Sequence, residues 1–127
     1  MGYTVDLQSD WLWCKSEEDA RAAQALINGN DSFSYWLQVE PEQNGDGWCL
    51  CVTHFQGDHW HNDEAEGIWS AIAPHMADDA SIEFQGEELE RWRIRWRNGR
   101  CFEDRVKEVL WIEADEINVP NSEESRT

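Results

Sequence analysis

No apolar run in the chain approaches the roughly 18 residues that a membrane-spanning helix needs, so a membrane partner is not expected. Basic residues are also scarce: 10 Lys and Arg stand against 27 Asp and Glu, for a net charge of −17. A surface of that sign repels phosphate backbones and anionic lipid, which argues against direct nucleic-acid binding and favours a basic protein surface as partner. The opening residues Met-Gly-Tyr-Thr-Val-Asp lack a basic stretch followed by an apolar one, and Asp6 stands where a myristoylation signal has Ser or Thr. A cytoplasmic location is therefore expected. The four cysteines, Cys14, Cys49, Cys51 and Cys101, do not form a disulfide framework, and a reducing compartment keeps them as thiols. No phosphate loop, nucleophile motif or paired-carboxylate signature accompanies them, so no cofactor is expected and a non-enzymatic role is favoured.

Tryptophan, by contrast, is abundant: the chain has nine. Residues 91–105 are also unusual, because they hold six of the ten basic residues and two acids, a local +4 that leaves −21 for the remainder. Trp92, Ile94 and Trp96 alternate with Arg91, Arg93, Arg95 and Arg97. Strand side chains alternate with period two, so this is a strand with one apolar and one cationic face. Asn98-Gly99 supplies the positive φ angles of a tight hairpin turn.

The rest of the chain gives a single α+β domain over 1–112 and an acidic, flexible tail over 113–127. Alternation predicts strands over Tyr3–Leu7, Phe33–Val39, Trp48–Phe55, Ser81–Gln85 and Arg91–Arg97, and from Cys101 to about Ile112 with a bulge near Arg105. Trp48–Phe55 is apolar on both faces and is expected to be central and covered on both sides. Ser16 caps a first helix that ends at Asn28-Gly29, and a second starts at Asp63 and stops near Pro74. Pro41–Gly47 reads as a turn. Trp11 and Trp13, between strand and helix, are expected to plug one end of the core. The order suggests a ferredoxin-like-related antiparallel sheet of five to six strands with two helices on one face.

Three groups of side chains are candidates for chemistry. The four arginines of 91–97 would repel one another unless anions lie between them. They are either an anion or nucleotide site, since guanidinium forks suit phosphate, or a row paired with Glu83, Gln85 and Glu103 on neighbouring strands. Cys49, Cys51, His54, His59 and His61 contain metal-ligand types, but a one-residue gap between the cysteines is not the usual zinc spacing. Asp58 to Glu64 also mixes His with carboxylates in a helix-entry loop, where acid–base chemistry or simple capping would serve. Trp11, Trp13 and Trp60 lie outside the expected elements and are either an exposed patch or caps on the core.

The run Ile82-Glu83-Phe84-Gln85-Gly86-Glu87, with Trp92-Arg93 and Asn98-Gly99 after it, carries one resemblance. Residues 81–111 resemble part of small uncharacterised bacterial and phage proteins with a Gly-Glu turn, a Trp-Arg strand and an Asn-Gly hairpin. That resemblance implies a small bacterial or phage domain and no catalytic residue.

Together these features favour an acidic protein-binding module, such as an immunity or phage counter-defence inhibitor that blocks a basic surface. Glu64, Glu66, Asp78, Asp79, Glu87, Glu88 and Glu90 would stand in for phosphates. The alternatives are a small anionic-ligand or nucleotide sequestering protein and a metal-dependent enzyme.

Overall fold

The structure, a computed structural model, describes residues 4–9, 11–58, 60 and 62–106, with the backbone alone for 62–64. It is α+β. The strands are β1 (Val5–Leu7), β2 (Trp11–Cys14), β3 (Leu37–Asn44), β4 (Gly47–Phe55), β5 (Ser81–Gly86), β6 (Arg91–Arg97) and β7 (Arg100–Arg105); the helices are α1 (Glu17–Asn28) and α2 (Asn62–Ile72). Instead of one sheet there are two, both antiparallel, with orders β1-β5-β6-β7 and β2-β4-β3. The expected boundary at residue 112 and the tail 113–127 lie outside the described residues.

The two sheets meet along the N-terminal segment. β1 pairs with β5, and the Val5 N–H donates to the Gly57 carbonyl just beyond β4. β2 pairs with β4, while its other edge meets residues 75–77: the Lys15 N–H donates to His75 O and the Ala77 N–H to Trp13 O. Residues 4–9 and 11–14 thus run between β4 and β5, and β1 belongs to one sheet and β2 to the other.

The first helix forms where its cap and first-turn charge predict. Ser16 Oγ accepts from the Asp19 N–H, and Glu17, Glu18 and Asp19 place negative charge against the helix N-terminus. Ala20, Ala23 and Ile27 face inward, and with Ile68, Trp69 and Ile72 of α2 they join the inner faces of both sheets in one apolar core. Aromatic rings hold the centre of that core. Phe84 stacks on Trp92 with centroids 5.6 Å apart, and Trp69 meets Phe33 edge-on at 5.4 Å. Trp60 is buried among these rings, so it belongs to no exposed patch. Among the described residues no helix is long and apolar enough to cross a membrane.

Four local expectations are corrected. Phe33–Tyr35 is a short 3-10 turn rather than strand, because the Asn30 carboxamide oxygen accepts from the Phe33 N–H and the Trp36 N–H closes onto Phe33 O. Pro41 to Asn44, expected as turn, is strand; Pro41 is tolerated there because β3 is an edge strand, where a missing N–H costs no ladder bond. Trp11 and Trp13 are not end plugs but part of β2. The β6–β7 ladder runs through Arg105 without a bulge.

Candidate functional site

The outer face of the β2-β4-β3 sheet carries the most unusual surface. The central strand β4 was expected to be covered on both sides, but only its inner face lies against the core. On the outer face, the register places Trp11 opposite Cys51 and Cys51 opposite Glu40; two residues along, Trp13 lies opposite Cys49 and Cys49 opposite Glu42. Two identical Trp–Cys–Glu rows therefore cross three strands side by side. Trp11 and Trp13 are each 39% exposed, unlike the buried indoles of Trp60, Trp69, Trp92 and Trp96. Among the described residues neither exposed ring stacks on another aromatic ring.

Local backbone chemistry positions these groups. β2 enters α1 through the Ser16 cap, and β3 returns into β4 through a turn at Gly45 with φ 63°. Trp13 lies over Gly47, where an added Cβ would come within 2.9 Å of its Cζ3 atom, so only glycine lets the indole approach the sheet this closely. Cys51 Sγ donates to Glu42 Oε1 at 2.9 Å and Cys49 Sγ to Glu42 O at 3.5 Å. Desolvation, then the hydrogen bond to Glu42 and its charge, push the Cys51 thiol up to about 12, and desolvation also raises Cys49. Both are neutral thiols at physiological pH, and Cys49 is buried beneath the face while Cys51 is partly exposed, which suits packing rather than a nucleophile.

The cationic face of the other sheet is neutralised from within. Arg93 Nε and Arg95 Nε both donate to Asp104 Oδ2 at 2.8 Å, Arg97 Nη1 to Asp79 Oδ2 at 2.6 Å, and Arg91 pairs with Glu83. Arg95 also lies over the Phe102 ring at 4.9 Å. The Arg95 and Arg93 guanidiniums hold the Asp104 carboxyl below the usual carboxylate range. Glu83 is thus a partner as the sequence suggested, but Asp104 takes the place assigned to Glu103. Glu103 lies opposite Ile94, on the other face, and pairs with Arg105.

The seven candidate carboxylates do not converge. Asp78 and Asp79 precede β5, whereas Glu87, Glu88 and Glu90 follow it, about 20 Å away across a six-residue strand. Several are engaged within the chain: Asp79 with Arg97, Asp78 with the Asn98 N–H, Glu87 with the Thr4 N–H and Glu90 with the Glu88 N–H. Glu66 is exposed on α2, and the Glu64 side chain lies outside the described residues.

The metal candidates are separated as well. Cys49 and Cys51 share the outer face, but the His54 ring contacts Tyr35 O at 2.9 Å, and His59 and His61 lie outside the described residues. Among the described residues no three His, Cys, Asp or Glu side chains are grouped to hold a metal ion.

Glu40, Glu42 and Gly47 were not singled out from sequence. Their signal was present, since Glu40 and Glu42 alternate with Val39 and Pro41, but a proline in the run disguised the strand. No family model, curated protein or solved structure matches the chain.

Proposed function

We propose that the chain is a non-catalytic, acidic protein-binding module that docks on a basic surface through the outer face of the β2-β4-β3 sheet. The observation that carries this reading is the pair Trp11 and Trp13, each 39% exposed on one face, with Glu40 and Glu42 on the far side of β4. Half-exposed indoles are strong anchors at interfaces, and a carboxylate rim selects a cationic partner. The charge of −17 attracts that partner from a distance and discourages two copies from associating. Covering a basic surface in this way would inhibit whatever that surface does, which keeps the immunity or counter-defence role in view.

The anionic-ligand reading has less support, because Arg91, Arg93, Arg95 and Arg97 each have a carboxylate partner. We also infer that the architecture is ferredoxin-like-related. Taking β1 and β2 as one broken strand gives the order β3-β4-β2/β1-β5, that of a βαββαβ unit, with β6 and β7 as an added hairpin.

The test is parallel affinity capture with the wild type and a Trp11→Ala/Trp13→Ala variant at low and moderate salt. A basic protein retained by the wild type alone, and released as salt rises, is the expected result. Identical partner sets on both, or retention indifferent to salt, would overturn the proposal.

A further inference from the structure

We propose that this face recognises an extended segment of a partner protein carrying arginines at alternate positions, with one guanidinium seated on each Trp–Cys–Glu row. The inference rests on the docking face above and adds the pattern that it reads.

The rows are Trp11–Cys51–Glu40 and Trp13–Cys49–Glu42. Positions i and i+2 of a strand are about 6.7 Å apart, and β2 and β3, one strand removed from each other, are about 9.6 Å apart. An extended peptide laid along β4 repeats its own same-side residues at that interval, so alternate side chains meet both rows in register. A guanidinium suits each row better than an ammonium. It stacks on an indole face, forks onto a carboxylate and is the more weakly hydrated of the two cations. The Cys51 thiol between ring and carboxylate is neutral and does not repel the cation, and Cys49 is buried beneath the face. A guanidinium that forks onto Glu42 displaces only the weak Cys51 Sγ–H donor from its Oε1.

Three occupants are conceivable, and charge chooses among them. The chain's own residues 113–127 hold five acids and one arginine, so an acidic tail would meet an acidic rim. A second copy offers the alternating Arg91, Arg93, Arg95 and Arg97, but these are paired within their own sheet, and each copy brings −17. A separate basic segment suffers neither penalty. Addition along the β3 edge is also less suitable, because Pro41 and the irregularity between Gln38 and Val39 interrupt that edge. Recognition therefore uses the face.

The experiment compares two short fluorescein-labelled peptides of identical composition and charge, one with three arginines at alternate positions and one with the three contiguous. Anisotropy titration against the full chain is expected to show the alternating peptide binding about tenfold tighter, the equivalent of 1.4 kcal/mol. Trp11→Ala/Trp13→Ala and, separately, Glu40→Gln/Glu42→Gln should each remove that preference, while Glu87→Gln/Glu88→Gln/Glu90→Gln should not. The Gln pair alters only exposed carboxylates, so it tests the site even if loss of both indoles disturbs folding.

Equal affinities for the two peptides, or a preference that survives both face variants, would overturn the inference. If capture still finds a basic partner dependent on Trp11 and Trp13, the docking face stands and only the alternate-arginine rule falls. If neither measurement depends on those indoles, both fall. A dimer in sedimentation that dissociates in the Trp variant would make a second copy the occupant. Peptide binding that tightens in the Arg126→Ala full chain, which lacks the only arginine of residues 113–127, would assign the face to the chain's own C-terminal segment. Either result would overturn the separate partner.

Discussion

The carboxamide of Asn28 bonds the backbone of Val39 as a neighbouring strand would: its Nδ2 donates to Val39 O at 2.9 Å, and its Oδ1 accepts from the Val39 N–H at 3.0 Å. The contact lies where the register of β3 on β4 shifts between Gln38 and Val39, so the last residue of α1 supplies the bonds that this irregular edge lacks. Asn28→Ala would strand the half-buried Val39 N–H and leave Val39 O with the longer bond from Gln24 Nε2 at 3.4 Å. The expected loss is about 1–3 kcal/mol in urea unfolding, the rough cost of one stranded group. Asn28→Asp keeps the acceptor alone and should fall between. A loss of only a few tenths of a kcal/mol for the alanine variant would show that water replaces the amide.

Asp104 predicts an acid-sensitive component of stability. Its carboxyl is held low by Arg95 and Arg93, so its folded pKa lies below its unfolded one. The stabilisation is therefore complete above the unfolded value of about 3.9 and is lost as pH falls through the depressed folded value. Asp104→Asn should flatten the fall in Tm below about pH 4 and leave the Tm near neutrality only slightly lower, as befits a partly exposed pair. Some slope should remain, because the hydrogen bond from His75 holds the Asp19 carboxyl low as well. Superimposable Tm–pH curves for the two proteins would remove Asp104 from this account.

Leu89 has φ 70° and is 74% exposed in the turn between β5 and β6. The left-handed region costs a residue with a Cβ about 1–2 kcal/mol, and an exposed leucine gains little burial in return. Leu89→Gly and Leu89→Asn should each stabilise the fold by roughly 0.5–1 kcal/mol, with the Gly gain reduced by its greater freedom when unfolded. Chemical unfolding measures this directly; destabilisation by both would mean that the leucine makes a contact outside the described residues.

Sequence periodicity served where one face is uniformly apolar and the other uniformly polar. Arg91–Arg97 is such a case, and so is the Ser16-capped α1 stripe of Ala20, Ala23 and Ile27. It failed at Trp11-Leu12-Trp13-Cys14, where every position is apolar and period two leaves no trace, although Leu12 is buried and its neighbours are half-exposed. The division into two sheets depends on pairings from Val5 to Gly57 and from Trp13 to Ala77, which local pattern does not encode. The candidate face was illegible for the same reason: its rows join residues from three strands, one hidden by its apolar neighbours and one by Pro41.

Cys51 offers a chemical test of that face. Its thiol is partly exposed yet raised to about 12, first by desolvation and then by the hydrogen bond to Glu42 and its charge. At pH 8 the reactive thiolate fraction is on the order of 10⁻⁴, against a substantial fraction for an ordinary cysteine. Brief iodoacetamide treatment, read by peptide mass spectrometry, should therefore label Cys51 far more slowly in the native protein than in the urea-unfolded chain. Glu42→Gln removes the carboxylate charge and leaves the desolvation, so labelling of Cys51 should accelerate by something of order tenfold without reaching the rate in unfolded protein. Equal labelling of Cys51 in native and unfolded protein, or no acceleration in the Gln variant, would show that Glu42 does not hold this thiol across the two rows.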